Sequence, residues 1–350
     1  MNFKKLGKTD LKVSTVCLGS MTWGQQNSKK DAFEQMDYAV SKGVNFIDTA
    51  EIYSVPVKAE TRGLTSQIIG EWLEKRKNRS KIIIADKVAG RTSALKWIRP
   101  NNEECRLSKK QIEFAINRSL KDLKTDYIDL YQVHWSDRRY GAFSGSLEYQ
   151  HVNKDDFISI EETLEVLNSL VKSGKVRHIG ISNESAWGTN QYLKFSEQKK
   201  LTRIVSIQNA YNLLNRSFEV GISEIAIREK VGLMAYSPLA SGYLSGKYRN
   251  GAMPKNSRMD LFGSYFPRYK TLNSDKAIDE YWNLAKSFDL KLNQMAIKFC
   301  EIQPFVGSVI IGATTLEQLK TNIDSVDINL NEELIKKIGE IQERYPNPCP

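Results

Sequence analysis

Residues 44–54, VNFIDTAEIYS, hold the reading on which the fold turns. Val44–Asp48 is a β-rich apolar run too brief for a helix. It ends on a carboxylate, and the phenol of Tyr53 follows in the loop just beyond. Two more runs repeat the arrangement: KIIIADK (81–87) ends on Lys87, and YIDLYQVH (127–134) ends on His134. Around them stand VSTVCLG (13–19), VRHIGIS (176–182), IVSIQ (204–208), GLMAY (232–236) and SVIIG (308–312). Amphipathic stretches separate these runs, beginning near Lys29, Leu64, Ser108, Ile160, Ser185, Ser217, Ser274 and Thr315. Eight strand-like runs alternating with helical periodicity predict a (β/α)8 TIM barrel of the α/β class. An open doubly wound sheet is the alternative, but its GxGxxG after the first strand is missing.

Ser108, Ser185 and Ser217 are expected N-caps, because a serine oxygen accepts from amides that the first helical turn leaves unpaired. The opening segment NFKKLGKTDLKVSTV predicts a hairpin turning at Gly7 to Asp10 that plugs one barrel end. LNQMAIKFCEIQ and NEELIKKIGEIQERY predict extra helices near the C-terminus. No composition break divides the chain, so residues 1–350 read as one domain. Three long loops are expected at the strands' C-terminal ends: Val88 to Leu107, Ser136 to Ser159, and Ser237 to Asn273. Active sites of this barrel assemble at that face, and long loops there form pocket walls. Trp97, Tyr140, Phe143, Phe262 and Phe266 are candidate linings, although ordinary loop packing accounts for most of them equally well.

The same rule selects Asp48, Tyr53, Lys87 and His134 as one constellation. A phenol, with its reference pKa near 10, is a poor proton donor at neutral pH until a neighbouring ammonium eases formation of the anion. Lys87 is the candidate ammonium, Asp48 holds it, and His134 orients a carbonyl oxygen. Hydride then has to come from a cofactor. Taken singly, each residue has a plainer reading: a turn cap, loop packing, a solvated lysine, a satisfied strand-end histidine. All four at strand ends of one barrel shift the balance toward chemistry, whereas His178 has no such company.

Composition narrows the partners. Fifty-one lysines and arginines against 41 acids give a net charge of +10. The basic residues are spread over many predicted helices and accompany no nucleic-acid motif, so solvated surface is the better reading. Cys17, Cys105, Cys300 and Cys349 lack metal-finger spacing, and with only three histidines no metal site is expected. MNFKKLGKTDLK lacks a signal-peptide core, and no run nears the roughly 18 apolar residues of a membrane span. A cytoplasmic chain with no membrane partner is the expectation.

At this point GSMTWG, DTAEIYS, ADKVAG, YQVHW, GISNES, SIQNAYN, AYSPLASGYLSGKY and IIGATTLEQLKTN, in that order over nearly the whole chain, resemble the aldo-keto reductase superfamily. LNRSFEVG and the long loop before Ser159 look like its bacterial Tas-like branch of NADP(H)-dependent reductases. The resemblance implies reduction of a small aldehyde or ketone, with Tyr53 as proton donor, Lys87 and Asp48 tuning it, and His134 positioning the carbonyl. It also implies that Ser182, Asn183 and Gln208 hold the nicotinamide carboxamide while the ring of Tyr236 stacks on the nicotinamide. Ser237, Pro238, Leu239, Ser241 and Lys247 match the pyrophosphate loop, in keeping with phosphate sites after strands seven and eight. Gly312, Thr314, Gln318 and Asn322 match the adenosine end, where a helix start offers free amides.

One departure bears on the cofactor. Gln318 stands where many members carry arginine for the 2′-phosphate, which leaves Arg258 of the long loop to supply the charge. NADP(H) is still the expected cofactor. Trp23 and Trp135 are candidate substrate-pocket walls, equally open to a core role. Relatives of potassium-channel β-subunits share this barrel, so a cofactor-binding regulatory subunit is the rival function. A phosphate-handling isomerase is weaker, because a barrel alone does not specify a reaction. Monomer and homo-oligomer both stay open.

Overall fold

The computed structural model describes residues 1–141, 143, 145–153 and 156–350. Strands β1 (Phe3–Lys5) and β2 (Lys12–Ser14) pair antiparallel through the turn expected at Gly7 to Asp10. Gly7 has φ 61°, and a Cβ on it would lie 2.8 Å from the Val205 carbonyl oxygen. Only glycine combines that backbone with so close an approach. Leu6 and Val13 of the hairpin pack with Cys17, Phe46, Ala85, Leu130 and Met234 inside the barrel, closing the end opposite the strands' C-termini.

The run VSTVCLG is not one strand. Val13 and Ser14 pair with β1, whereas β3 (Val16–Gly19) pairs with barrel neighbours on both sides. Thr15 is the joint, its amide donating to the Asn2 carbonyl and its carbonyl accepting from Val309. One continuous β pattern serves two sheets.

From β3 the barrel runs through β4 (Phe46–Asp48), β5 (Ile83–Val88), β6 (Ile128–Val133), β7 (Val176–Ser182), β8 (Ile204–Ala210), β9 (Gly232–Tyr236) and β10 (Val306–Ile311). All neighbours are parallel, and β10 closes on β3. Every residue of β6 and β10 is buried, as expected where one face fills the barrel and the other lies under helices.

Helices follow the strands: α1 (Lys29–Ser41), α2 (Leu64–Arg76), α3 (Lys109–Asp122), α4 (Ile160–Lys172), α5 (Ala186–Gln198) and α6 (Ile222–Arg228). After β9 come α7 (Arg258–Phe262) inside the longest loop, α8 (Ser274–Ser287) and α9 (Leu292–Glu301). α10 (Leu316–Ile323) and α11 (Glu332–Arg344) follow β10. Ser108 and Ser185 cap α3 and α5 as read from sequence. Ser217 does not cap α6. Its hydroxyl donates to Asn215 Oδ1 at 2.6 Å, and the chain makes a short 3₁₀ turn before Gly221 begins the helix. Among the described residues no helix is long and apolar enough to cross a membrane.

Strand alternation gives β5 two chemistries. Lys87 points into the barrel, while Asp86 points outward toward Ser119 of α3 and is fully buried. Burial raises the Asp86 pKa to about 7, and the opposing pull of Ser119 and the Lys87 amide only partly offsets it. With the folded value above the unfolded one, the associated stability is whole below the ordinary carboxylate range and is lost as pH rises through about 7. The wild type is therefore expected to be less stable at pH 8 than at pH 5 relative to Asp86→Asn. Because the loss above pH 5 spans about two pH units, the difference is at most about 3 kcal/mol, read from urea midpoints at both pH values. Parallel pH dependence in the two proteins would refute this role.

Candidate functional site

Asp48 ends β4 and Lys87 is the fifth residue of β5, so the barrel brings their side chains together although 39 residues separate them. Lys87 Nζ donates to Asp48 Oδ2 at 2.7 Å and to the Thr49 carbonyl at 2.7 Å. The other carboxylate oxygen, Oδ1, accepts from Gln208 Nε2 at 2.8 Å. Lys87 is wholly buried, and its ammonium lies 5.0 Å from the centre of the Tyr53 ring. The His134 ring meets Tyr53 edge-on with centroids 6.0 Å apart, and Trp135 lies 4.8 Å from His134. The four residues chosen from sequence thus form one cluster at the C-terminal face.

Burial decides the ionisation of this cluster. It raises the Tyr53 pKa to about 12, outweighing the Lys87 charge that acts in the other direction. The expected easing of the phenolate is present but is not the larger effect. Burial also opposes the Lys87 ammonium, yet Asp48 and then Tyr53 more than offset it, so that pKa lies above the ordinary lysine value. His134 is held well below its usual value by burial and then by Lys87. At neutral pH the site therefore offers a protonated phenol, an ammonium behind it and a neutral imidazole. Such a set can orient an oxygen and deliver a proton to it.

The loop carrying Tyr53 is fixed from behind by residues that the sequence reading passed over. Glu51 accepts from the Ala89 amide at 2.7 Å and from both Arg99 terminal nitrogens at 2.7 Å. Arg62 approaches the same carboxylate at 3.6 Å, and all three side chains are buried. Arg99 Nε in turn donates to Gln111 of α3. The only available signal was a glutamate inside DTAEIYS, and nothing local in sequence points to an arginine 48 residues away.

A cavity of about 1190 Å³ opens in front of Tyr53 and His134 and continues along the C-terminal face to Thr314 and Gln318. Asn183, Gln208, Tyr236 and the segment Ser237, Pro238, Leu239, Ser241 line its middle. Lys247, Arg258, Gly312, Thr314, Gln318 and Asn322 line the far part. Ser182 stands just behind the wall, its hydroxyl donating to the Gln208 carbonyl at 2.8 Å and accepting from Asn183 Nδ2 at 3.1 Å. Gln318 Oε1 accepts from the Thr314 amide and hydroxyl at 3.0 Å each, which leaves its Nε2 to donate.

Trp135 lines the cavity, as do Phe143 and Phe266. Trp23 does not: it is 0% exposed in the main core, with its indole nitrogen donating to Gln35 at 3.0 Å. The loop GSMTWG folds its tryptophan inward, and Met21 and Thr22 take the pocket side. Trp97, Tyr140 and Phe262 also lie outside the lining.

Four similarities to known proteins bear on this geometry. The model of the aldo/keto reductase family matches residues 15–343. Protein tas of Escherichia coli strain K12 is 46% identical over 351 residues, covering 100% of both chains. An aldo-keto reductase of Babesia bovis is 36% identical over 283 residues, covering 77% of this chain and 98% of that one. A probable voltage-gated potassium channel subunit beta of Arabidopsis thaliana is 30% identical over 357 residues, covering 99% and 98%. The match takes in all eight barrel strands and every element that supplies the cluster. With the fold, the site and these similarities in agreement, the chain belongs to the aldo/keto reductase family of oxidoreductases.

Proposed function

We propose that the chain reduces an aldehyde or ketone to an alcohol, reversibly, using NADPH, with Tyr53 as proton donor. The observation that carries this reading is one continuous cavity joining the Tyr53–His134 cluster to three cations, Lys247, Arg258 and Arg268. Among the described residues none of these three has an acidic partner, and a dinucleotide bearing several phosphates suits that charge.

Ser182, Asn183 and Gln208 would hold the carboxamide, and Tyr236 would lie against the ring. Ser237, Pro238, Leu239, Ser241 and Lys247 would take the pyrophosphate, and Gly312, Thr314, Gln318 and Asn322 the adenosine. Arg258, whose guanidinium lies 5.3 Å from the centre of the Phe266 ring, would meet the 2′-phosphate. The bound cofactor supplies hydride. His134 then orients the substrate oxygen as a neutral imidazole, Tyr53 gives it a proton, and Lys87, braced by Asp48, stabilises the phenolate left behind. The apolar walls Ile52, Val55, Leu95 and Trp135 exclude water from the reacting centre. We take residues 1–350 as one domain acting in the cytoplasm on a small-molecule carbonyl.

The test is a panel of aldehydes and ketones followed by NADPH absorbance, run in parallel with NADH. Turnover with NADPH exceeding that with NADH is expected, and Arg258→Met should remove most of the difference. A clear preference for NADH would overturn the NADPH assignment. The Arabidopsis relative supports a second reading, a cofactor-binding regulatory subunit. Tight NADPH retention without turnover on any carbonyl, together with a co-purifying partner, would favour that reading.

A further inference from the structure

The 3₁₀ turn Pro267–Tyr269 carries an arginine that neither the sequence reading nor the comparisons assign. Arg268 Nη1 donates to the Tyr236 hydroxyl at 3.3 Å, and that hydroxyl donates to Asn183 Oδ1 at 2.7 Å. Asn183 Nδ2 reaches the His134 carbonyl at 2.9 Å. On the other side, Asn212 Nδ2 donates to the Tyr269 hydroxyl at 3.2 Å and to the Ser237 carbonyl at 2.9 Å. Arg268 therefore stands where β9 gives way to the loop beginning at Ser237, with its guanidinium in the cavity wall.

Its neighbours do not match its charge. Other partly or wholly buried arginines sit on carboxylates: Arg99 on Glu51, Arg106 on Asp137, Arg138 on Glu184 and Arg216 on Glu219. Among the described residues Arg268 has no carboxylate partner and bonds instead to the phenols of Tyr236 and Tyr269. A largely desolvated guanidinium normally pairs with an anion, and its planar fork suits two oxygens of one phosphate. Phe266, at the start of the same turn, lies under Arg258, which also has no acidic partner among the described residues. One short segment thus presents two uncompensated cations to a single cavity.

We propose that Arg268 binds the phosphate on the nicotinamide side of the dinucleotide, exchanging a neutral phenol for an anion. This rests on the reading given under Proposed function. Arg268 touches Tyr236, which that reading places against the nicotinamide, so the phosphate one ribose away is the one within reach. The adenosine-side groups fall to Lys247, Arg258 and the Gly312–Asn322 segment.

Equilibrium binding to the full chain, followed by quenching of protein fluorescence, tests this with three ligands: NADPH, NADH and 2′,5′-ADP. The last carries the adenosine-side phosphate and the 2′-phosphate but nothing on the nicotinamide side. Arg268→Met is expected to weaken NADPH and NADH by the same factor, roughly ten- to a hundredfold, and to leave 2′,5′-ADP unchanged. Arg268→Lys should lose less than Arg268→Met. Arg258→Met should weaken NADPH and 2′,5′-ADP but not NADH. Unchanged 2′,5′-ADP affinity also shows that the variant is folded. Three results would overturn the assignment: loss confined to NADPH, loss of 2′,5′-ADP binding, or no loss with either dinucleotide. Failure of the wild type to bind either dinucleotide would instead overturn the underlying reading, and it would be seen before any substitution was made.

Discussion

Tyr53→Phe is expected to lower carbonyl reduction by about 10²- to 10⁴-fold while NADPH binding is unchanged. Phenylalanine keeps the ring that meets His134 edge-on and loses only the hydroxyl. With its pKa raised to about 12, Tyr53 is fully protonated across the neutral range, so the donor is always loaded. The cost lies in the phenolate formed after transfer, which burial disfavours and Lys87 stabilises. Because the folded value is raised, the stability Tyr53 contributes is whole below its reference value of 10.0 and is lost as pH rises through about 12. The rate of reduction should accordingly show no Tyr53 inflection near neutrality. Nor should His134 titrate there, since burial and Lys87 keep it neutral. Turnover by Tyr53→Phe within a few-fold of the wild type, on the same carbonyl, would remove the proton-donor assignment.

Glu51→Gln should have the largest effect on stability. Its carboxylate is the common anion of Arg99 and Arg62, and all three side chains are buried. Neutralising it leaves two buried guanidinium groups without their counter-charge, a change that costs about 3–5 kcal/mol when a buried pair is broken on one side. Glutamine keeps the shape and can still accept from the Ala89 amide, so the loss reports charge rather than volume. Chemical denaturation measures it directly, and a companion Glu51→Gln/Arg99→Met protein should recover part of the loss, as coupled neighbours do. A midpoint equal to that of the wild type would show that the network is dispensable. Carbonyl reduction should fall with stability here, because Glu51 lies two residues before Tyr53 and fixes the loop that carries it.

The barrel was legible because its strands are short, β-rich and separated by helical periodicity, and because three of them end at residues with evident chemistry. Asp48, Lys87 and His134 needed no long-range information beyond the barrel itself, since the C-terminal ends of its strands converge. The break at Thr15 was not legible, for the pattern on either side is the same and only partner choice differs. Which of its two readings Trp23 takes was not legible for a related reason: a tryptophan beside glycines in a strand-end loop carries no signal of which way the loop folds, and the core reading is the one the structure shows. Glu51, Arg62 and Arg99 form a network of residues far apart in the chain, and Arg268 acquires its place only when the long loop returns over Tyr236. The weight of burial against charge at Tyr53 also lies beyond sequence, because it depends on how completely the loops cover the phenol.

The alternation along β5 has a practical corollary. Asp86 and Lys87 are adjacent in the chain yet separated by the thickness of the barrel wall, one facing the helical shell and the other the reacting centre. A protein engineer seeking alkaline tolerance can therefore alter the outward carboxylate without replacing any side chain of the reacting centre, at the cost of one of the charges that favour the Lys87 ammonium.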